Sequence, residues 1–167
     1  MGLFHSAWAH IVLAEPKATA GAYYKATLRV GHGCNGSATQ SLMVQVPVGF
    51  QGAKPQPKSG WVIQTRKAKL AAPYNSHGKT VTDDVVELRW TAASQNNHLP
   101  DEQFDEFAFM GRLPDNVGPM WVKVLQICES GQNDWSEIPV SGTSTRGLKF
   151  PAALLEVQSP PAHGHHH

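Results

Sequence analysis

Histidine and cysteine are the residues of this 167-residue chain most able to hold a metal, and their settings are unequal. His10 follows Ala7-Trp8-Ala9, a small-x-small triplet of the kind a leader peptidase cuts. Where cleavage makes His10 the first residue, its α-amine and its imidazole Nδ1 close a six-membered chelate ring. The ordinary pKa values, about 7.7–8.0 for the amine and about 6.5 for the imidazole, let a strong Lewis acid deprotonate both near neutrality. A tetragonal set of nitrogen and oxygen donors suits Cu(II) best among the common ions. Copper is the metal this chemistry points to.

His32 lies two positions before Cys34 in Gly31-His32-Gly33-Cys34-Asn35-Gly36, a tight turn in which a histidine either caps backbone groups or serves as a ligand. His77 and His98 sit in Asn/Ser-rich turns and read as surface residues, while His163, His165, His166 and His167 form either a shortened purification tag or a metal-gathering tract. Neither cysteine belongs to a Cys-x-x-Cys pair, so a zinc ribbon or thioredoxin-type site has no support. Cys34 and Cys128 each stand beside glycines where strands should end. They read either as a disulfide joining distant parts of an exported chain or as two unrelated buried thiols. No Gly-x-Ser-x-Gly, phosphate loop or His-Glu-x-x-His occurs, and the adjacent acid pairs Asp101-Glu102 and Asp105-Glu106 are not spaced to converge on a substrate.

The elements that must position these residues read as strands. Alternation and β-branched content mark Ala22 to Val30, Thr39 to Val46, Trp61 to Leu70, Val81 to Thr91, Phe104 to Met110 and Met120 to Cys128. Pro47 to Ser59 reads as a loop and Pro73 to Gly78 as a turn; Pro100 to Asp105 is the one expected short helix. Fifteen glycines and twelve prolines, with only 16% charged residues, fit a turn-rich β protein. The expected fold is all-β, an antiparallel β-sandwich of immunoglobulin or cupredoxin-like kind in a single domain. Residues 1–9 read as a leader remnant or as residues added for expression, 10–157 as the domain, and 158–167 as a disordered His-rich tail or tag, the chain becoming tail-like after Pro151. No run approaches the ~18 apolar residues of a membrane-spanning helix.

The formal net charge of +1 gives no reason to expect nucleic acid as a partner. Its distribution is uneven, with nine basic residues and no acid from Pro16 to Thr82, then eleven acids and three basic residues from Asp83 to Glu137. Pairing of the two halves across one sandwich would cancel this locally; the other reading is an electrostatic docking face.

A series of segments resembles the YcnI-type domain of bacteria: His10-Ile11-Val12-Leu13, Ala20-Gly21-Ala22-Tyr23, Arg29-Val30-Gly31-His32-Gly33-Cys34-Asn35-Gly36-Ser37, Val46-Pro47-Val48-Gly49, Pro57-Lys58-Ser59-Gly60-Trp61, Asp105-Glu106-Phe107 and Gln126-Ile127-Cys128. The resemblance implies an exported or membrane-tethered β-sandwich of copper handling, periplasmic or secreted, that binds Cu(II) through its N-terminal histidine in a single-histidine brace. It implies His10 as the bracing residue, Cys34 with Cys128 as a disulfide, and a nearby tryptophan, matched here to Trp121. Some members add a glutamate on the strand after Ala-Gly, where this chain has Ala22-Tyr23-Tyr24-Lys25 and no acid. His32 is the expected substitute ligand, with Glu106 behind it. The implied partners are copper and copper-transport or chaperone proteins, in sequestration or delivery rather than catalysis. The alternatives are a copper-dependent monooxygenase-like enzyme and a metal-free adhesion sandwich.

Overall fold

The computed structural model describes residues 10–162. Two β-sheets pack face to face. The first has four strands in the order β1 (Val12–Leu13), β3 (Tyr23–Val30), β8 (Asp105–Arg112) and β5 (Gln51–Pro55). The second runs β2 (Lys17–Thr19), β11 (Ala153–Gln158), β9 (Gly118–Cys128), β4 (Thr39–Gln45), β7 (Lys79–Ala92) and β6 (Trp61–Ser76), with β10 (Gln132–Trp135) as its seventh strand, paired to β9. All ladders are antiparallel except β2 with β11. The all-β sandwich expected from the sequence is the fold observed.

Strict alternation explains the layers. Along β9, Met120, Val122, Val124, Gln126 and Cys128 point inward while Trp121, Lys123, Leu125 and Ile127 are half-exposed on the opposite face. Between the sheets lie Leu28, Leu42, Leu88, Trp90, Phe107, Phe109 and Leu155, all fully buried. Phe107 takes the edges of Trp61 and Trp90 at centroid distances of 5.0 and 5.8 Å, and the Trp90 indole N–H donates to the Gln56 carbonyl at 3.1 Å. Among the described residues no buried side-chain nitrogen or oxygen lacks a hydrogen-bond partner.

The structure corrects the element boundaries in four places. The loop expected over Pro47 to Ser59 contains β5, a short edge strand that buries only Ala53 and ends at Pro55, so it shows neither alternation nor β-branched residues. β6 runs through Pro73 to Ser76 before turning at His77-Gly78, where φ is positive at both residues. The only helical turn among the described residues is a 3-10 turn at Gln95–Asn97, not Pro100 to Asp105. The segment after Pro151 forms β11, held between β2 and β9 with Ala153, Leu155 and Val157 buried, rather than a tail. Residues 1–9, with the expected leader remnant, and the four C-terminal histidines lie outside the described residues.

The uneven charge is absorbed within the sandwich. The basic β3 and β6 lie against the acidic β8 and β7, giving Arg29 with Glu106 at 3.1 Å and Arg66 with Glu87 at 3.5 Å, while Lys58 reaches Asp105 at 2.6 Å.

Candidate functional site

His10 enters the fold through β1. Ile11 and Leu13 are buried, and the pairs Val12 with Arg29 and Leu13 with Leu28 tie this short strand to β3. Continuing that register by two residues brings His10 level with Gly31, beside the loop that carries His32. Downstream, the Tyr24 hydroxyl donates to the Glu15 carbonyl at 2.5 Å and fixes where the chain leaves β1. Burial, with Glu15 nearby, pushes that hydroxyl up to about 12.

The His32 loop is built by several independent ties. Cys34 and Ser37 exchange backbone hydrogen bonds at 3.0 and 2.9 Å around Asn35 and Gly36, both at positive φ, which is the two-residue hairpin geometry that Asn-Gly favours. Gly33 must be glycine: a Cβ there would stand 1.8 Å from the Ser37 carbonyl oxygen. Its N–H donates to Asp101 Oδ1 at 2.8 Å, and the Ser130 N–H donates to Ser37 Oγ at 2.8 Å. A disulfide joins Cys34 to Cys128 with Cα atoms 6.0 Å apart, fastening the loop to the end of β9. The His32 ring donates from Nδ1 to the Gly33 carbonyl. That tautomer carries its lone pair on Nε2.

The two histidines meet on one indole. Trp135, buried at the end of β10, has the His10 ring at 5.9 Å and the His32 ring at 6.0 Å, centroid to centroid, with Phe150 edge-on at 5.2 Å. Trp135 pairs with Val124 across the β9 ladder, and both point into the core. Trp121, the tryptophan matched from sequence, is instead on the opposite face of β9, opposite Leu154 of β11, because its odd position in the alternation turns it outward. Glu106 lies on the half-exposed outer side of β8, paired with Arg29 on the neighbouring strand. The arrangement therefore joins His10 with His32 and a different tryptophan. Sequence reading missed Trp135 because no strand was expected over Gln132–Trp135, four residues with no alternation of β-branched type.

The donor set is limited. Among the described residues no group of three His, Cys, Asp or Glu side chains stands close enough to hold a metal ion. Two imidazoles stand at Trp135, and an α-amine would be the third nitrogen if His10 began the chain. Three nitrogens of that kind fit Cu(II) better than the oxygen-seeking ions.

A family model matches residues 10–157, spanning every strand from β1 to nearly the end of β11. The chain belongs to the DUF1775 family. This family, described as a domain of unknown function, is the one to which YcnI-type domains correspond. No curated protein matches. A solved structure, described as an uncharacterized protein from Nocardia farcinica with an immunoglobulin-like fold, aligns with a TM-score of 0.70 at 23% identity, over 90% of this chain and 99% of that one. At that identity the likeness shows the fold.

Proposed function

We propose that this DUF1775 domain is an exported copper-binding protein that holds Cu(II) at His10, through the α-amine and imidazole of the processed chain, with His32 as a further ligand. The observation that carries the reading is that His10 and His32, from separate parts of the chain, both pack on Trp135. His10 would supply a chelate, and His32 a third nitrogen from a loop held by its hydrogen bonds and its disulfide. The buried indole would keep water from one side of the ion. The disulfide fits an oxidising compartment. Among the described residues no helix is long and apolar enough to cross a membrane. The role is sequestration or delivery of copper to a transport or chaperone protein, with Trp121 and Glu106 outside the ligand set.

The test is a copper titration followed by electron paramagnetic resonance on three forms ending at residue 162: one starting at Met1, one starting at His10, and the latter with His10→Ala. An amide nitrogen is a far poorer donor than an amine, so tight tetragonal binding is expected only in the second. Equal affinity and identical spectra in all three would refute the terminal site. The second histidine also favours one other reading, a two-histidine brace of the kind used by copper monooxygenases. Oxidised polysaccharide products formed with reductant and peroxide would decide for that enzyme.

A further inference from the structure

We infer that Gln126 is a positioning residue for this site, orienting Trp135 and His32 together through the indole N–H and the His32 carbonyl rather than as a metal ligand; this rests on the copper reading above. Gln126 is completely buried on the inward face of β9, between Val124 and Cys128. A buried amide is costly unless its hydrogen-bonding capacity is met, and here all of it is. Nε2 donates to the His32 carbonyl at 2.7 Å and to Thr39 Oγ1 at 2.8 Å. Oε1 accepts from the Trp135 indole N–H at 3.0 Å and, at 3.4 Å, from Asn133 Nδ2. Two donors and two lone pairs are the full capacity of a glutamine side chain.

The orientation of the amide follows from its partners. An indole N–H can only donate and a carbonyl oxygen can only accept, so flipping the amide would break both contacts at once. One rigid plane thus sets the direction of the Trp135 ring, against which His10 and His32 pack, and the height of the His32 backbone. The disulfide beside it fixes the loop to the same strand two residues further on. Gln126 carries no charge and donates no ligand, yet both histidines are located relative to it.

The experiment uses the chain from His10 to Ala162 and compares Gln126→Met with Thr39→Val. The methionine removes all four hydrogen bonds at similar volume, whereas the valine removes the Thr39 hydroxyl with its contacts to Gln126 Nε2 and Cys128 Sγ, and leaves the amide's bonds to the His32 carbonyl and the Trp135 indole in place. Expected for Gln126→Met are a changed copper hyperfine coupling and at least a tenfold loss of Cu(II) affinity. Thr39→Val should lower the thermal midpoint and leave the copper spectrum unchanged. Wild-type spectra and affinity in both variants, with only thermal midpoints lowered, would reduce Gln126 to a core hydrogen-bonding group and overturn the inference. Trp135→Phe, which keeps a ring but removes the indole N–H, provides the second arm should Gln126→Met not fold, and its copper spectrum should shift in the same sense; an unchanged spectrum would overturn the inference. The His32 ring proton shifts are measured in all forms without metal. They should move in Gln126→Met or Trp135→Phe and not in Thr39→Val, even if the wild type binds no copper, so failure of the copper reading is told apart from failure of this one.

Discussion

Replacing both cysteines, Cys34→Ala with Cys128→Ala, separates the two things their disulfide does. Alanine is the better substitute, because both positions are buried and a serine hydroxyl there would need a partner. The bond closes a loop of 94 residues, for which the chain-entropy relation gives about 4–5 kcal/mol at 25 °C, acting chiefly on the unfolded chain. Against a total stability of about 5–15 kcal/mol this is a large fraction, and for a domain of this size it corresponds to a fall of roughly 10–20 °C in thermal midpoint. The folded state should change much less. Gly33 still donates to Asp101, Gln126 still holds the His32 carbonyl, and Ser130 still reaches Ser37. Chemical denaturation monitored by tryptophan fluorescence measures the first effect, and the His32 ring proton shifts of the folded variant measure the second. A stability loss below about 1 kcal/mol would refute the cross-link argument. Random-coil shifts for His32 in an otherwise folded protein would show that the loop depends on the bond rather than on its hydrogen bonds.

Three further outcomes follow from the same structure. Gly33→Ala should destabilise by about 1–3 kcal/mol, measured by chemical denaturation, since the new methyl cannot avoid the Ser37 carbonyl without opening the hairpin. The Asp84 carboxyl is partly desolvated, which raises its pKa, but hydrogen bonds from Tyr74, Gly52 and Val85 prevail and hold it below the usual carboxylate range. Its contribution to stability is therefore present above the unfolded carboxylate pKa and lost as pH falls through the folded one, so Asp84→Asn should flatten the acid limb of thermal midpoint against pH. Tyr74, desolvated and donating to Asp84, is pushed up to about 12, so its stabilisation holds below pH 10.0 and fades toward 12; Tyr74→Phe should reduce that alkaline loss, leaving the part due to Tyr24.

What the sequence showed depended on how far each residue advertised its environment. The long strands were legible because Leu42 and Val44, or Val86, Leu88 and Trp90, alternate with polar neighbours. β5 and β11 were not, because short strands beside a bulge or a proline gain their partners from strands distant in sequence, and β10 was not, because Gln132-Asn133-Asp134-Trp135 holds no β-branched residue although its partner β9 lies just before it. The cysteine pairing was half legible, as turns at both ends made it one of two readings. The meeting of His10 with His32 could be expected only through the family resemblance, since the β1 register that aligns them involves residues nearly twenty positions apart. Gln126 did leave a signal. It is the one amide in the inward series Met120, Val122, Val124, Gln126, Cys128, and a polar side chain in such a row requires a polar reason.

The pairing of β2 with β11 also governs the order of events in folding. Lys17 lies beside Glu156 and Thr19 beside Gln158, so among the described strands β2 has no partner until β11, far along the chain, arrives. Until then, the stretch of β9 from Gly118 to Val122 lacks the neighbour that β11 supplies on that edge. Loop closure over such a separation is slow and leaves apolar edges open to wrong partners. A growing chain can therefore assemble the β6–β7 hairpin early, but it cannot complete the larger sheet from a fragment. Truncation before Pro151 should give aggregation rather than a smaller stable sandwich.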